Sequence, residues 1–312
     1  MRGLDPEMFV AAIHNAHLEP CLLSRQPAPS QLARLLCPAV CLDFAQVGPA
    51  VHFTGRMAPD SYTLVFVLAC PEKGQSFNFS VEHTDGYMGV FPPGSALDAV
   101  TPKGYASAML TVPVAEFHAA LQQHFPELPE HVLSHGAGLH IGPVEQARLR
   151  ELLADLEQTL WVSPETLAAP RIRRQIERQL IAAFLAALRS GCAHLVSAPK
   201  RRVGRRLRCL RQAREFLATH AHEPVYLDDL CTTLGLSGRA VENLFRDFLG
   251  LSPTAYLRHQ RLHGVRRALL EAAPAPGAVK RAALDWGFLH QGHFARDYHG
   301  LFGEHAGETL RR

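Results

Sequence analysis

Arg239, Glu242, Asn243 and Arg246 recur at steps of three and four residues, the spacing that gathers side chains on one face of a helix. Arginine can grip guanine, and asparagine can grip adenine, with two hydrogen bonds each. The chemistry on offer is therefore recognition of base edges. A second group, Gln291, His293 and Arg296, with His290 just ahead of it, repeats the theme near the C-terminus. Other chemistry finds little support. The seven cysteines, among them Cys37 and Cys41, contain no Cys-x-x-Cys pair of the kind a zinc site needs, and they read as buried or free thiols. Neither Cys37 nor Cys70 stands in the glycine-flanked strand-to-helix turn of a nucleophile. His52 and His83 stand alone, without a His-x-His pair followed by glutamate. The sequence predicts no enzyme, no cofactor and no metal.

The first group needs a helix with a fixed base. Leu227, Leu230 and Cys231 supply the inward face of a short helix, and Gly235 a turn in which a positive φ costs nothing. Ser237 stands at an N-cap, and Val241, Leu244 and Phe245 pin the following helix to a core. Helix, tight turn and capped helix is the arrangement whose second helix can enter a major groove about 12 Å wide. A longer helix over Thr254 to Leu270 follows, then a short one from Ala278 to Trp286. Gly287-Phe288 makes a second turn, and His290 to Gly303 forms a second candidate recognition helix. A connecting helix of about 18 residues spans about 27 Å. It can hold two reading heads about one DNA turn, ~34 Å, apart.

These residues resemble the AraC family of bacterial transcription regulators. The likeness is carried by Leu227-x-x-Leu230, Gly235-Leu-Ser237, Leu244-Phe245, Gly250-x-Ser252-Pro253-x-x-Tyr256-Leu257, Arg261-Leu262, Leu269-Leu270, Gly287-Phe288, His293-Phe294-x-Arg296 and Phe302-Gly303. The resemblance implies a tandem helix-turn-helix reader of promoter DNA, modulated by a small molecule or by dimerisation through an N-terminal domain. RNA polymerase and a second copy of the chain are the implied protein partners. By position, Arg239, Glu242 and Asn243 would face bases, with Arg246 nearer the phosphates, and Gln291, His293 and Arg296 would serve the second head. Several positions depart from the family. Tyr298 is followed by His299-Gly300 instead of a basic pair, and His305-Ala306 replaces a later serine-proline. Ala282 stands where a larger aliphatic residue is usual, with Trp286 nearby to fill the space. Fewer phosphate contacts lower affinity and flatten its salt dependence, so the second head is expected to contribute less. The rival reading is an interaction protein whose N-terminal domain dominates.

Charge divides the chain the same way. From Pro199 onward there are 19 Lys and Arg against 11 Asp and Glu, net +8; the rest carries 13 against 18, net −5. A polyanion partner is thus expected for the second part alone. Domains are expected at residues 1–196 and 207–312, joined by a basic linker over 197–206. The first reads as α+β: a small β barrel or sandwich, cupin-like where the family resemblance is followed, plus helices; the second is all-α. Strands are expected from about Val40 to Pro113, including Ser61–Leu68 and the alternating Ser76–Val81. Phe66, Phe77, Phe79 and Tyr87 are candidates for a pocket or for plain core. The stripe Ile172, Ile176, Leu180, Phe184 and Leu188 packs on its own domain or pairs with a second subunit. With no apolar run of about 18 residues and no secretory signal at the start, a cytoplasmic location is expected.

Overall fold

Alternation at period two builds the N-terminal unit. The computed structural model describes residues 1–24, 28–71, 77–78, 81–82, 84–126, 130–193 and 201–312. Twelve strands lie among them: β1 (Arg2–Leu4), β2 (His17–Leu22), β3 (Ser30–Leu36), β4 (Cys41–Val47), β5 (Val51–Arg56), β6 (Ser61–Ala69), β7 (Phe77–Asn78), β8 (Val81–Glu82), β9 (Tyr87–Phe91), β10 (Ala96–Thr101), β11 (Tyr105–Pro113) and β12 (Ala137–His140). One sheet has the order β1-β3-β4-β11-β6-β9-β12 and the other β2-β5-β10-β7-β8. Five helices accompany them: α1 (Pro6–Ala12), α2 (Val114–His124), α3 (Glu130–His135), α4 (Pro143–Val162) and α5 (Pro170–Ala193).

On the larger sheet, Leu42, Phe44, Leu64, Phe66, Met88, Val90, Ala108 and Leu110 turn one way. They share a core with Leu149 and Leu153 of α4 and with Ile176, Leu180, Phe184 and Leu188 of α5. Each fully buried Leu or Phe contributes about 1.5–3 kcal/mol relative to exposure. The α5 stripe is therefore spent inside its own unit, and of its five members only Ile172 is exposed. Phe66 belongs to this core. Phe79 and His83 lie outside the described residues.

The structure differs from the sequence reading in three places. Strands begin well before Val40, with β1, β2 and β3. Within the run Ser76–Val81, the described residues fall in two short strands: β7 and β8 pair with each other in antiparallel register, Phe77 opposite Glu82 and Asn78 opposite Val81. The stretch expected as a linker is helical from Arg201 on; residues 197–200 lie outside the described residues.

The helical unit comprises Lys200–Arg312 together with two short N-terminal segments, Pro20–Ala28 and Pro49–His52. Its helices are α6 (Arg201–Thr219), α7 (Leu227–Leu234), α8 (Gly238–Leu249), α9 (Pro253–Glu271), α10 (Ala278–Asp285), α11 (Gln291–Phe302) and α12 (Ala306–Thr309). Within this unit His52 is buried, its Nδ1 2.9 Å from the Tyr256 hydroxyl.

Candidate nucleic-acid interface

The first reading head is built as its residue types dictate. Gly235 ends α7 at φ 61°, a left-handed conformation that suits glycine. The Ser237 hydroxyl then accepts the Ala240 N–H at 3.4 Å, capping α8. A Cβ on Gly238 would sit 3.2 Å from Leu227 Cδ2, so the missing side chain lets α7 and α8 approach closely. Val241, Leu244, Phe245, Phe248 and Leu249 are buried beneath α8. Arg239, Glu242, Asn243 and Arg246 are all exposed on its other face. Arg206 also belongs to this head: its guanidinium donates to Asp247 at 2.5 Å and lies 5.1 Å from the centre of the Phe248 ring.

The connecting helix α9 starts from the Ser252 hydroxyl, which accepts the Ala255 N–H at 3.2 Å. At 19 residues it is about 28 Å long. Arg261 on this helix faces inward. Its Nε donates to the Ala221 carbonyl at 2.7 Å, and it also donates to the Glu223 carbonyl, clamping the loop between α6 and α7. Burial holds its pKa below the usual arginine value.

The second head follows a turn at Gly287, φ 78°. Phe294, Tyr298, Leu301 and Phe302 bury the inner face of α11. His290, His293 and Arg296 are exposed, and the His290 and His293 rings lie 5.8 Å apart. Gln291 is placed differently from the other two predicted residues of this head. It is half-buried, and its Nε2 donates to the Phe288 carbonyl at 3.3 Å, bracing the turn. A recess of about 540 Å³ is lined by Arg258, Arg261, His290, His293, Arg296 and Asp297. Arg258, 3.6 Å from Asp297, is an exposed cation that the sequence reading did not single out. Its signal was available, since it precedes Arg261 by three residues and so lies near it along the same helix.

Behind α11 lies a buried polar network. Glu304 accepts from Arg266, from Arg312 and, at 2.7 Å, from the Thr309 hydroxyl. Thr309 has one hydroxyl proton and gives it to Glu304, so the Tyr298 hydroxyl, 2.8 Å away, donates to Thr309. Where the family has serine-proline, the His305 N–H donates to Glu308 Oε2 at 2.6 Å, an acidic N3 cap that starts α12.

The helix-turn-helix domain family matches residues 230–312, which include α8 and α11. Over 102 residues the chain is 36% identical to a probable thc operon regulatory protein of Rhodococcus erythropolis, covering 33% of this chain and 31% of that one. Over 98 residues it is 33% identical to a XylDLEGF operon transcriptional activator of Pseudomonas putida, covering 31% and 30%. The C-terminal unit belongs to the AraC family of transcription regulators. A solved structure of a probable AraC family transcriptional regulator from Rhodopseudomonas palustris is 36% identical and covers 34% of this chain and 96% of its own, with a TM-score of 0.32. The match spans about a third of the length of the first two curated relatives. It is an AraC-type domain that these proteins share with the chain, with both turns and both buried helix faces in place.

Proposed function

We propose that the chain regulates transcription by binding promoter DNA through two successive major-groove segments, α8 reading one and α11 the other. The observation that carries this reading is the α8 face: Arg239, Glu242, Asn243 and Arg246 are exposed together over a fully apolar base. Donors and acceptors held that way can meet base edges without rearranging the fold. On α11, His293 and Arg296 are the exposed counterparts, with Arg258 beside them for phosphate. Gln291 serves the turn, so the second head reads with fewer groups than the first. We further propose that the N-terminal unit senses a small molecule. A homodimer, in this reading, uses a surface other than the α5 stripe, which its own core consumes.

Fluorescence anisotropy with a duplex from the region upstream of the gene, against a scrambled duplex, tests the assignment. Asn243→Ala and Arg296→Ala should each lose about 1–3 kcal/mol of discrimination, as expected for a lost base contact. Unchanged discrimination in both variants would remove α8 and α11 as reading heads. Salt-insensitive or absent binding to every fragment would favour the protein-interaction reading instead.

A further inference from the structure

The larger N-terminal sheet buries residues on both faces, and the face shared with α4 and α5 is only one of them; the other is mixed, with Asp43, bonded to Arg34, buried along β4 and apolar residues elsewhere. Along β11, Ala108 and Leu110 face the helices, whereas Tyr105, Ser107 and Met109 face the other way. Val65 of β6 turns opposite to Leu64 and Phe66 in the same manner. These second-face residues line a chamber of about 70 Å³, closed on its far side by Phe53 of β5 and by Ala99 and Thr101 of β10. A single water needs about 10–15 Å³ by this kind of measure, so the chamber has room for several atoms beyond its walls' own packing.

What surrounds that space sets what it can hold. No charged side chain among the described residues lines it. Its polar side chains are all hydroxyls: Thr101, Ser107, Tyr87 and Tyr105. Phe9 and Phe53, with ring centres 6.2 Å apart, and the sulfurs of Met57 and Met109 supply the rest of the character. Thioethers adapt in shape and make favourable contacts with aromatic rings, and aromatic edges and faces pair with one another. A carboxylate here would be buried without a cation, which costs far more than an apolar contact returns. A sugar would bury more hydroxyls than four side-chain hydroxyls can serve.

From this lining we infer that the chamber takes an uncharged, predominantly apolar molecule about one aromatic ring in size, with at most one hydroxyl or carbonyl, and rejects carboxylates and sugars. The inference rests on the proposed sensing role of the N-terminal unit and specifies what is sensed.

Calorimetric titration of the full chain with toluene, phenol, benzoate and glucose provides the test. Toluene and phenol should bind, benzoate should bind at least ~10-fold more weakly than phenol, and glucose should give no heat of binding. Ala99→Leu, which fills the chamber, should weaken phenol at least ~10-fold while its thermal melt stays cooperative. Benzoate binding as tightly as phenol, glucose binding, or failure of both neutral rings to bind would overturn the inference. So would undiminished phenol binding in a folded Ala99→Leu protein. The panel on the unaltered chain decides the ligand class even where the variant does not fold. Adding phenol to the promoter anisotropy assay separates the two layers. Neutral rings that bind without changing DNA affinity support the ligand class and count against sensing, whereas benzoate that changes DNA affinity supports sensing and overturns the class.

Discussion

Gly264 of α9 lies directly against the Trp286 ring: a Cβ built on Gly264 would stand 2.4 Å from three atoms of the indole. Trp286 packs in turn against His222, ring centres 4.1 Å apart and planes tilted by 40°, and His222 Nδ1 donates to the Asp285 carbonyl at 2.9 Å. The indole therefore sits where the connecting helix, the end of α10 and the loop before α7 meet.

In an exposed helix, glycine to alanine gains about 1 kcal/mol. Here the added methyl must displace an aromatic ring, and overpacking of that kind costs about 1–3 kcal/mol. Gly264→Ala should therefore destabilise the helical unit by a net loss of up to ~2 kcal/mol in urea unfolding. The loss should shrink in a Trp286→Leu background, so that a double-mutant cycle shows coupling between the two sites. Additive effects would mean that the ring does not hold the joint.

Glu304 answers the buried Arg266, whose side chain is 2% exposed. Removing one partner of a buried pair leaves a charge uncompensated, at a cost of about 3–5 kcal/mol. Glu304→Ala should lower stability by that order. Arg312→Ala should cost about 0–1 kcal/mol, because the Arg312 side chain is half exposed. Chemical denaturation of both variants compares them directly; equal losses would place the anchor elsewhere.

Burial pushes the Cys41 thiol up to about 12, with the Asp43 carboxylate adding to it, and the Cys37 thiol up to about 11, with Glu177 adding to it. Both thiols thus hold their protons more firmly in the folded unit than in the unfolded chain, whose thiols ionise near pH ~8.5–9. Their stabilisation is complete below that range and is lost as pH rises through the folded values. Iodoacetamide at pH 8 should leave both unmodified in the folded protein and label both in denaturant. Rapid labelling of either in the folded state would contradict the burial that raises them.

How far the sequence discloses this molecule depends on where its information is local. Leu227 to Phe245 carries turn glycine, cap serine and apolar spacing within twenty residues, and its structure follows the pattern throughout. By contrast, Arg201–Arg206 looks like a linker by composition, yet it is helical, and its Arg206 is drawn onto Asp247 and Phe248 forty residues away. Strand β12, with Ala137, Gly138, Leu139 and His140, has little β character of its own and exists by pairing with β9. The α5 stripe was legible as apolar, but only packing decides what it touches. At the reading heads, exposure of Asn243 and Arg296 follows from helical spacing. The turning-in of Gln291 depends on the Phe288 carbonyl, which no periodicity reports.

The clamp of Arg261 on two backbone carbonyls has a consequence for how positive charge is counted. Arg206, Arg261, Arg266 and Arg312 each meet a carboxylate or a carbonyl within the helical unit itself. Cations satisfied in this way displace no ions condensed on a duplex. Exposed groups such as Arg239, Arg246 and Arg296 are placed to do so. Since each neutralised phosphate steepens the logarithmic dependence of affinity on salt by about 0.9, the DNA should experience a protein less basic than its composition. Its ion release should report the outward arginines, while those bonded within the helical unit set the shape that presents them.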